Sequence, residues 1–125
     1  RLDQIYLVSE PLPLPRDLLN PQYQKTKIYQ VISPNSDQVY IGYTTWSSIE
    51  DYFYECHIGD FEAQRKKQRT SKYIILKGDA KIELIEEWPC NSQAEALARE
   101  TYWIEKHPNA VNKVIPHHFR QVSNM

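Results

Sequence analysis

Two short runs of β-branched and aromatic residues stand close together in the first half of this chain. They occupy residues 26–32 and 39–45, and a polar cluster at residues 33–37 separates them. Val, Ile, Thr and Tyr are favoured in strands, whereas Pro, Asn and Ser favour turns. The pattern predicts an antiparallel hairpin with a five-residue loop, on which every later element has to pack.

The rest of the chain predicts helices and one further strand. Apolar spacing predicts a helix at residues 46–57. We expect further short helices at residues 61–67 and 71–76, a third strand at residues 81–88, a helix at residues 92–107 and a short final segment at residues 111–115. The last long helix begins with a capping box, Ser92 and Glu95. This order predicts an α+β fold in which helices flank a small three-stranded antiparallel sheet.

The N-terminal stretch has a different composition. Residues 1–24 contain four of the eight prolines, so we expect an extended arm near the polyproline II conformation. The arm either docks on a protein partner or serves as a linker or strap. The predicted organisation is therefore an arm at residues 1–24, a domain at residues 25–116 and a tail at residues 117–125.

Charge and apolar content limit the class of protein. The 125 residues include 15 Lys and Arg against 16 Asp and Glu, a balance that counts mildly against nucleic-acid binding. We find no apolar run of about 18 residues and no secretory signal, so we expect no membrane partner. Cys56 and Cys90 are isolated from each other, which favours reduced thiols in an intracellular protein.

Glu100 and Gly42 do not fit their surroundings. Glu100 lies on the apolar stripe of the last long helix, where a carboxylate is costly unless a metal, an arginine or hydrogen-bond donors bind it. An edge position or an ion pair is the ordinary alternative. Gly42 lies inside a strand, where glycine often marks a close backbone approach. Ordinary cross-strand packing is the alternative for Tyr29 and Tyr40.

The same residues resemble a known signature. Lys27-Ile28-Tyr29, ten further residues and then Tyr40-Ile41-Gly42 resemble the GIY-YIG motif, with Lys27 at the first glycine. The similarity continues through Thr44-Thr45, residues 82–87 and residues 99–104, and it covers about residues 25–116. The positions that match the family's functional residues are Tyr29, Tyr40, His57, Glu100 and Asn112.

The resemblance implies a nuclease that hydrolyses phosphodiester bonds of DNA or RNA with Mg²⁺. Tyr29 would take the proton of the attacking water, although a tyrosine with a pKa of about 10 needs a nearby cation to do so. Glu100 would bind the metal ion, because Mg²⁺ needs few protein ligands. Tyr40 and His57 would position groups by hydrogen bonding, and Asn112 would brace the site.

The chain also departs from this family. GIY-YIG proteins carry an arginine one helical turn before the motif histidine, and Phe53 stands there in this sequence. Residues 46–64 contain no Arg or Lys but five acids: Glu50, Asp51, Glu55, Asp60 and Glu62. A basic cluster follows and either grips a nucleic-acid backbone or forms a solvated face. Its members are Arg65, Lys66, Lys67, Arg69 and Lys72.

Two interpretations follow. One is a Mg²⁺-dependent nuclease that is impaired by the missing arginine. The other is a non-cleaving structural or binding subunit that its N-terminal arm holds in a larger assembly. Arg65 is a candidate substitute for the arginine, whereas Arg99 should point away from the cleft. We expect slow or absent cleavage, and we expect the substitution Phe53→Arg to raise it.

Overall fold

A computed structural model of the chain describes residues 20–63 and 69–114. It confirms the α+β class and the three-stranded antiparallel sheet. The elements in chain order are a 3₁₀ turn (Tyr23–Lys25), β1 (Lys27–Ile32), β2 (Tyr40–Thr44), α1 (Ile49–Tyr52), a π-helical segment (Phe53–Ile58), α2 (Gly59–Glu62), α3 (Lys72–Ile75), β3 (Lys81–Glu87), α4 (Gln93–Lys106) and α5 (Val111–Val114).

The sheet has β1 at its centre, in the order β2-β1-β3. Tyr29 on β1 lies directly opposite Gly42 on β2. The pairing of β1 with β3 shifts register between Ile28 and Tyr29, which leaves Ile85 as the extra residue of a bulge. Such bulges bend a strand and re-aim its side chains. This one lies beside the tyrosine of the first motif triplet.

Both faces of the sheet are covered. One face carries Tyr29 and Val31 from β1, which pack against apolar side chains of α1, the π-helical segment and α3. The opposite face carries Ile28 and Ile41, which pack against Ile104 of α4. Successive side chains of a strand point to opposite faces, so the burial of both Ile28 and Tyr29 shows that β1 is covered on both sides.

The helix after β2 differs from its prediction. It begins at Ile49, where the Ser48 side chain accepts a hydrogen bond from the Asp51 backbone nitrogen at 3.1 Å. The predicted end at His57 is wrong, because the chain stays helical through the π-helical segment to Glu62. Hydrogen bonds in a π-helix join residues five apart and widen the turn. The residues that face the core therefore differ from those of an ordinary α-helix.

The predicted capping box of α4 is present in a modified form. Ser92 Oγ accepts from the Glu95 nitrogen at 3.2 Å, as expected. The Glu95 carboxylate accepts from the backbone nitrogen of Asn91 at 2.9 Å, one residue before Ser92. The helix then runs to Lys106, two residues before Pro108.

The structure describes only the last residues of the predicted N-terminal arm and none of the predicted tail. Residues 1–19 of the predicted arm and the predicted tail at residues 117–125 lie outside the described residues. Asn20 donates to the Asn91 side chain at 2.9 Å, and Gln24 donates to the carbonyl of Cys90 at 3.0 Å. Residues 20–24 thus pack on the loop before α4. Within residues 20–63 and 69–114, no helix has the length and apolarity to cross a membrane.

Candidate active site

A chain of buried hydrogen bonds links three separate elements. The Tyr29 hydroxyl on β1 lies 2.7 Å from Nε2 of His57 in the π-helical segment. Nδ1 of the same ring lies 2.6 Å from Oγ of Ser71, just before α3. All three residues are buried. A phenol, an imidazole and a hydroxyl in series give the Tyr29 proton a path to His57, and the Ser71 hydroxyl is placed to hydrogen-bond the imidazole that receives it.

Gly42 is needed for the position of Tyr29. A β-carbon at residue 42 would lie 2.5 Å from the Tyr29 hydroxyl oxygen and 3.0 Å from the ring of Tyr40. Both tyrosine rings therefore occupy the space of the missing side chain. The close backbone approach that the sequence predicted at Gly42 is an approach of the two motif tyrosines.

Glu100 is buried with one oxygen unpaired. It is 2% exposed, and within the described part of the chain its Oε1 has no hydrogen-bond partner. Burial raises the pKa of this carboxyl to about 8, although a hydrogen bond from the backbone of Tyr43 lowers it in part. An ionised carboxylate is unfavourable here unless a cation binds it.

Tyr29, Tyr40 and Glu100 line one cavity of about 330 Å³. The other lining residues are Gln22, Tyr23, Tyr43, Thr44, Thr45, Trp46, Tyr52, Arg69, Gln93 and Leu97. Glu100 is the single acid among these described residues, and Arg69 is the single cation. The cavity therefore holds one carboxyl and one guanidinium, and its other lining side chains are uncharged.

Burial also controls the tyrosines. It raises the pKa of Tyr29 well above the ordinary value, and the neighbouring Tyr40 and Tyr52 raise it further. Burial likewise raises the pKa of Tyr40, with Glu100 as the next cause. The positive charge of Arg69 opposes both shifts. At neutral pH the two motif tyrosines are therefore neutral phenols.

A model of the GIY-YIG catalytic domain matches residues 25–113. The chain belongs to the GIY-YIG family. One similar solved structure is the catalytic domain of the homing endonuclease I-TevI, at 23% sequence identity and a TM-score of 0.49. That match covers 66% of this chain and 87% of the other. No curated protein matches the sequence.

The GIY-YIG positions fall into two groups. Tyr29, Tyr40 and Glu100 line the cavity, and His57 reaches it through its bond to Tyr29. Asn112 does not line the cavity. Its side chain donates to the carbonyl of Ile41 at 2.6 Å and accepts from the nitrogen of that residue at 3.3 Å, so it holds the outer edge of β2.

The described residues include two members of the basic cluster, Arg69 and Lys72. Arg65, Lys66 and Lys67 lie outside the described residues. Lys72 is on α3, with its ammonium 5.2 Å from the ring centre of Tyr73. Arg69 lines the cavity. Sequence reasoning grouped Arg69 with its neighbours and missed its approach to the GIY-YIG tyrosines, because that approach depends on where the chain returns after the helix.

The helix after β2 also presents different faces from those expected. Its acids Glu50, Asp51 and Glu55 are exposed and do not line the cavity. Tyr52 lines the cavity, whereas Phe53 is 3% exposed and packs in the core. Sequence reasoning missed Tyr52 and Ser71 as partners of the GIY-YIG residues, since an α-helical spacing does not put Tyr52 on the same face as His57.

Arg99 has a different set of partners. It makes two hydrogen bonds to the Glu86 carboxylate, at 2.7 and 2.9 Å. Its guanidinium also lies 4.1 Å from the ring centre of Trp88. Arg99 does not line the GIY-YIG cavity, in agreement with the prediction from its helical position.

Proposed function

We propose that this GIY-YIG domain hydrolyses phosphodiester bonds of nucleic acid, with Mg²⁺ bound by Glu100. One observation carries the proposal: Tyr29, whose hydroxyl is bonded to His57, lines the same cavity as Glu100, whose Oε1 has no hydrogen-bond partner among residues 20–63 and 69–114. Attack of water on a phosphate needs a proton acceptor and a cation close together. The cavity offers a group for each task.

The chemistry of Glu100 fits a hydrated divalent ion. Within the described residues, no group of three or more His, Cys, Asp or Glu side chains forms a ready-made metal site. Mg²⁺ keeps several waters and is held by one or two carboxylates, so a single buried glutamate suits it better than it suits zinc. When bound, the ion would polarise the phosphate and stabilise the leaving oxygen.

Tyr29 can act as a base by passing a proton on. Its raised pKa disfavours a free phenolate, so a mechanism that stores charge on the phenol is unfavourable. We infer that Tyr29 takes the water proton while its own proton moves to Nε2 of His57. This transfer requires the imidazole tautomer with hydrogen on Nδ1, which donates to Ser71 Oγ. The resulting imidazolium keeps that bond.

Two further family positions support the reacting groups. The rings of Tyr40 and Tyr29 lie 6.3 Å apart, and Tyr40 lines the cavity, so we assign it to orienting the water or the phosphate. Asn112 holds the β2 backbone at Ile41, which is next to Tyr40. Asn112 is therefore a positioning residue in this proposal.

A cleavage assay tests the proposal. Supercoiled plasmid and a structured RNA are incubated with the chain and Mg²⁺, and strand breaks are counted. We expect cleavage that Tyr29→Phe and Glu100→Gln each reduce by about 100-fold or more. The matched controls Tyr73→Phe and Glu105→Gln change the same groups away from the cavity and should cleave normally. Wild-type rates in Tyr29→Phe would refute the proposed base.

A second function has one observation in its favour. Glu50, Asp51 and Glu55 form an exposed acidic face on the helix that also carries His57, and such a face repels a polyanion. It would suit a non-cleaving subunit that docks on a protein, with residues 1–24 as the attachment. This candidate predicts neither cleavage nor nucleic-acid binding by the wild-type chain, with or without Mg²⁺.

A further inference from the structure

The helix of this protein cannot supply a guanidinium at the family's position. The residue four before His57 is Phe53, which is buried in the main hydrophobic core. The residue five before it, Tyr52, lines the cavity, and its ring centre lies 5.4 Å from that of His57. The π-helical turn thus puts a tyrosine, not a cation, beside the histidine.

Arg69 reaches this same place from another element. Its Nη1 donates to the hydroxyl of Tyr52 at 2.9 Å, and its guanidinium carbon lies 5.4 Å from the centre of that ring. Arg69 stands two residues before Ser71, the partner of His57. One short segment therefore delivers both the cation and the hydroxyl that fixes the imidazole.

The charge of Arg69 is only partly balanced. Its Nε lies 3.6 Å from an oxygen of Asp60, too far for a hydrogen bond, and among the described residues this buried Nε has no hydrogen-bond partner. Its hydrogen bond to the Tyr52 hydroxyl is to a neutral group. The guanidinium lines the cavity, and phosphate, an anion with several oxygens, matches its planar fork.

We propose that Arg69 is the phosphate-contacting cation of this cavity, positioned by Tyr52 and supplied from the segment before α3 in place of the helix arginine. Arg69 would bind non-bridging oxygens of the scissile phosphate and stabilise the charge that develops there. Asp60 would hold the guanidinium loosely until a phosphate replaces it. This inference rests on the proposed function, since it assigns a role within that reaction.

The test removes the guanidinium and returns it in solution. Cleavage of an oligonucleotide duplex with Mg²⁺ is measured for wild type, Arg69→Ala, Arg69→Lys and the surface control Lys81→Ala. We expect Arg69→Ala to lose about 100-fold or more, Arg69→Lys to keep part of the activity and Lys81→Ala to match wild type. Added ethylguanidine should restore part of the Arg69→Ala activity, an effect that a purely structural role for Arg69 would not produce.

Several outcomes would overturn the inference. If Arg69→Ala cleaves within about threefold of wild type, the proposed function stands and the role of Arg69 falls. The role also falls if a folded Arg69→Ala variant loses activity that ethylguanidine does not restore. If Arg69→Ala does not fold, Arg69→Lys decides. A folded Arg69→Lys that keeps part of the wild-type activity supports the role of Arg69, whereas one with no activity or with full wild-type activity overturns it.

A binding measurement separates this inference from the proposed function. Anisotropy of a labelled oligonucleotide is recorded with Ca²⁺ in place of Mg²⁺. If the wild type binds but does not cleave, the proposed function fails, and binding at least about tenfold weaker in Arg69→Ala than in Lys81→Ala still supports the phosphate contact. Equal binding by the two variants overturns it. A wild type that neither binds nor cleaves overturns both proposals.

Discussion

The two halves of the cavity were assembled in different ways. On the sheet side, Tyr29 and Tyr40 line the cavity, and Glu100 of α4 completes this half, so all three motif positions face one space. On the helical side, Phe53 takes the arginine position, and Arg69 and Tyr52 occupy the cavity instead. The motif tyrosines and Glu100 therefore share the cavity with Arg69, a cation that the motif does not predict there.

The difference follows from how strands and helices place side chains. A strand alternates its faces with a period of two, so Tyr29 can face Gly42 in only one register. A helix can change phase when one turn widens into a π-helix. Here that change turns Phe53 inward and Tyr52 towards the cavity. Any nearby element can supply a charged side chain to the cavity. A contact between two paired strands can come only from those strands in that register.

The largest effect should come from a charge at the core position of the helical half. We expect Phe53→Arg to destabilise the fold by about 4 kcal/mol, because it removes a packed ring and buries an unpaired cation. The control Tyr54→Arg, at a neighbouring residue that is 66% exposed, should change stability by less than about 0.5 kcal/mol. Urea unfolding measures both.

This expectation reverses the one drawn from sequence, in which Phe53→Arg raises cleavage. If the variant remains stable and cleaves faster than wild type, the helix is α-helical at this turn in solution. The contrast between the two halves of the cavity would then disappear.

The next effect concerns the sheet side and depends on pH. The pKa of Glu100 is raised to about 8 in the folded state, so its protonated form stabilises the fold at low pH. That stability is fully present below the unfolded pKa of about 4.3 and is lost as the pH rises to about 8. Glu100→Gln should therefore be more stable than wild type at pH 8.5 by on the order of 3 kcal/mol, and nearly equal at pH 4.

Urea titrations across this pH range, without divalent ions, measure the difference. Glu105→Gln on the exposed side of the same helix should follow the wild-type curve. Mg²⁺ should stabilise the wild type at pH 8 and leave Glu100→Gln unchanged. Parallel curves for wild type and Glu100→Gln would mean that the carboxyl is solvated rather than buried.

Much of the fold could be predicted because its signals are local. The predicted strand at residues 81–88 ends one residue later than the observed β3. The predicted helix at residues 92–107 extends one residue beyond α4 at each end. The exception is the helix after β2. Its continuation past His57 runs through a π-helical turn in which Phe53 and His57 are both buried. Apolar spacing alone does not encode that turn.

The residues of the site show the same distinction between local signals, which the sequence contains, and tertiary contacts, which it does not. The placement of Glu100 on a buried stripe followed from helical spacing, and the placement of Tyr29 and Tyr40 on neighbouring antiparallel strands followed from the strand pattern. The contact of Arg69 with Tyr52 is a tertiary contact across residues that lie 17 apart in sequence. No periodicity relates such residues, so the sequence revealed only a basic cluster.

A smaller effect should come from filling the space at Gly42. In Gly42→Ala the new β-carbon would meet the Tyr29 hydroxyl at 2.5 Å, so the ring must move away from His57. We expect a loss of about 1–3 kcal/mol in stability and a loss of cleavage. The helical control Gly59→Ala meets its nearest atom at 3.5 Å and should stabilise the fold by about 0.5–1 kcal/mol. Equal melting temperatures for the two variants would show that Tyr29 does not need Gly42.

The smallest expected effect concerns the hydroxyl of Tyr52. Tyr52→Phe removes the acceptor of the 2.9 Å bond from Arg69 but keeps the ring under the guanidinium. We expect a stability change of about 1 kcal/mol and a fall in cleavage of about three- to tenfold, since the cation remains but is held less firmly.

A double-mutant cycle shows whether this hydroxyl acts through Arg69. If Tyr52 positions the guanidinium, its removal should have little further effect on cleavage once Arg69→Ala is present. Tyr43→Phe provides the comparison on the sheet side, because the Tyr43 hydroxyl also lies near the cavity but accepts from Gln93 at 3.2 Å. The effect of Tyr43→Phe on cleavage should be the same in the wild type and in Arg69→Ala. Additive effects of Tyr52→Phe and Arg69→Ala would mean that the two residues act separately, and the cation of the helical half would then need another support.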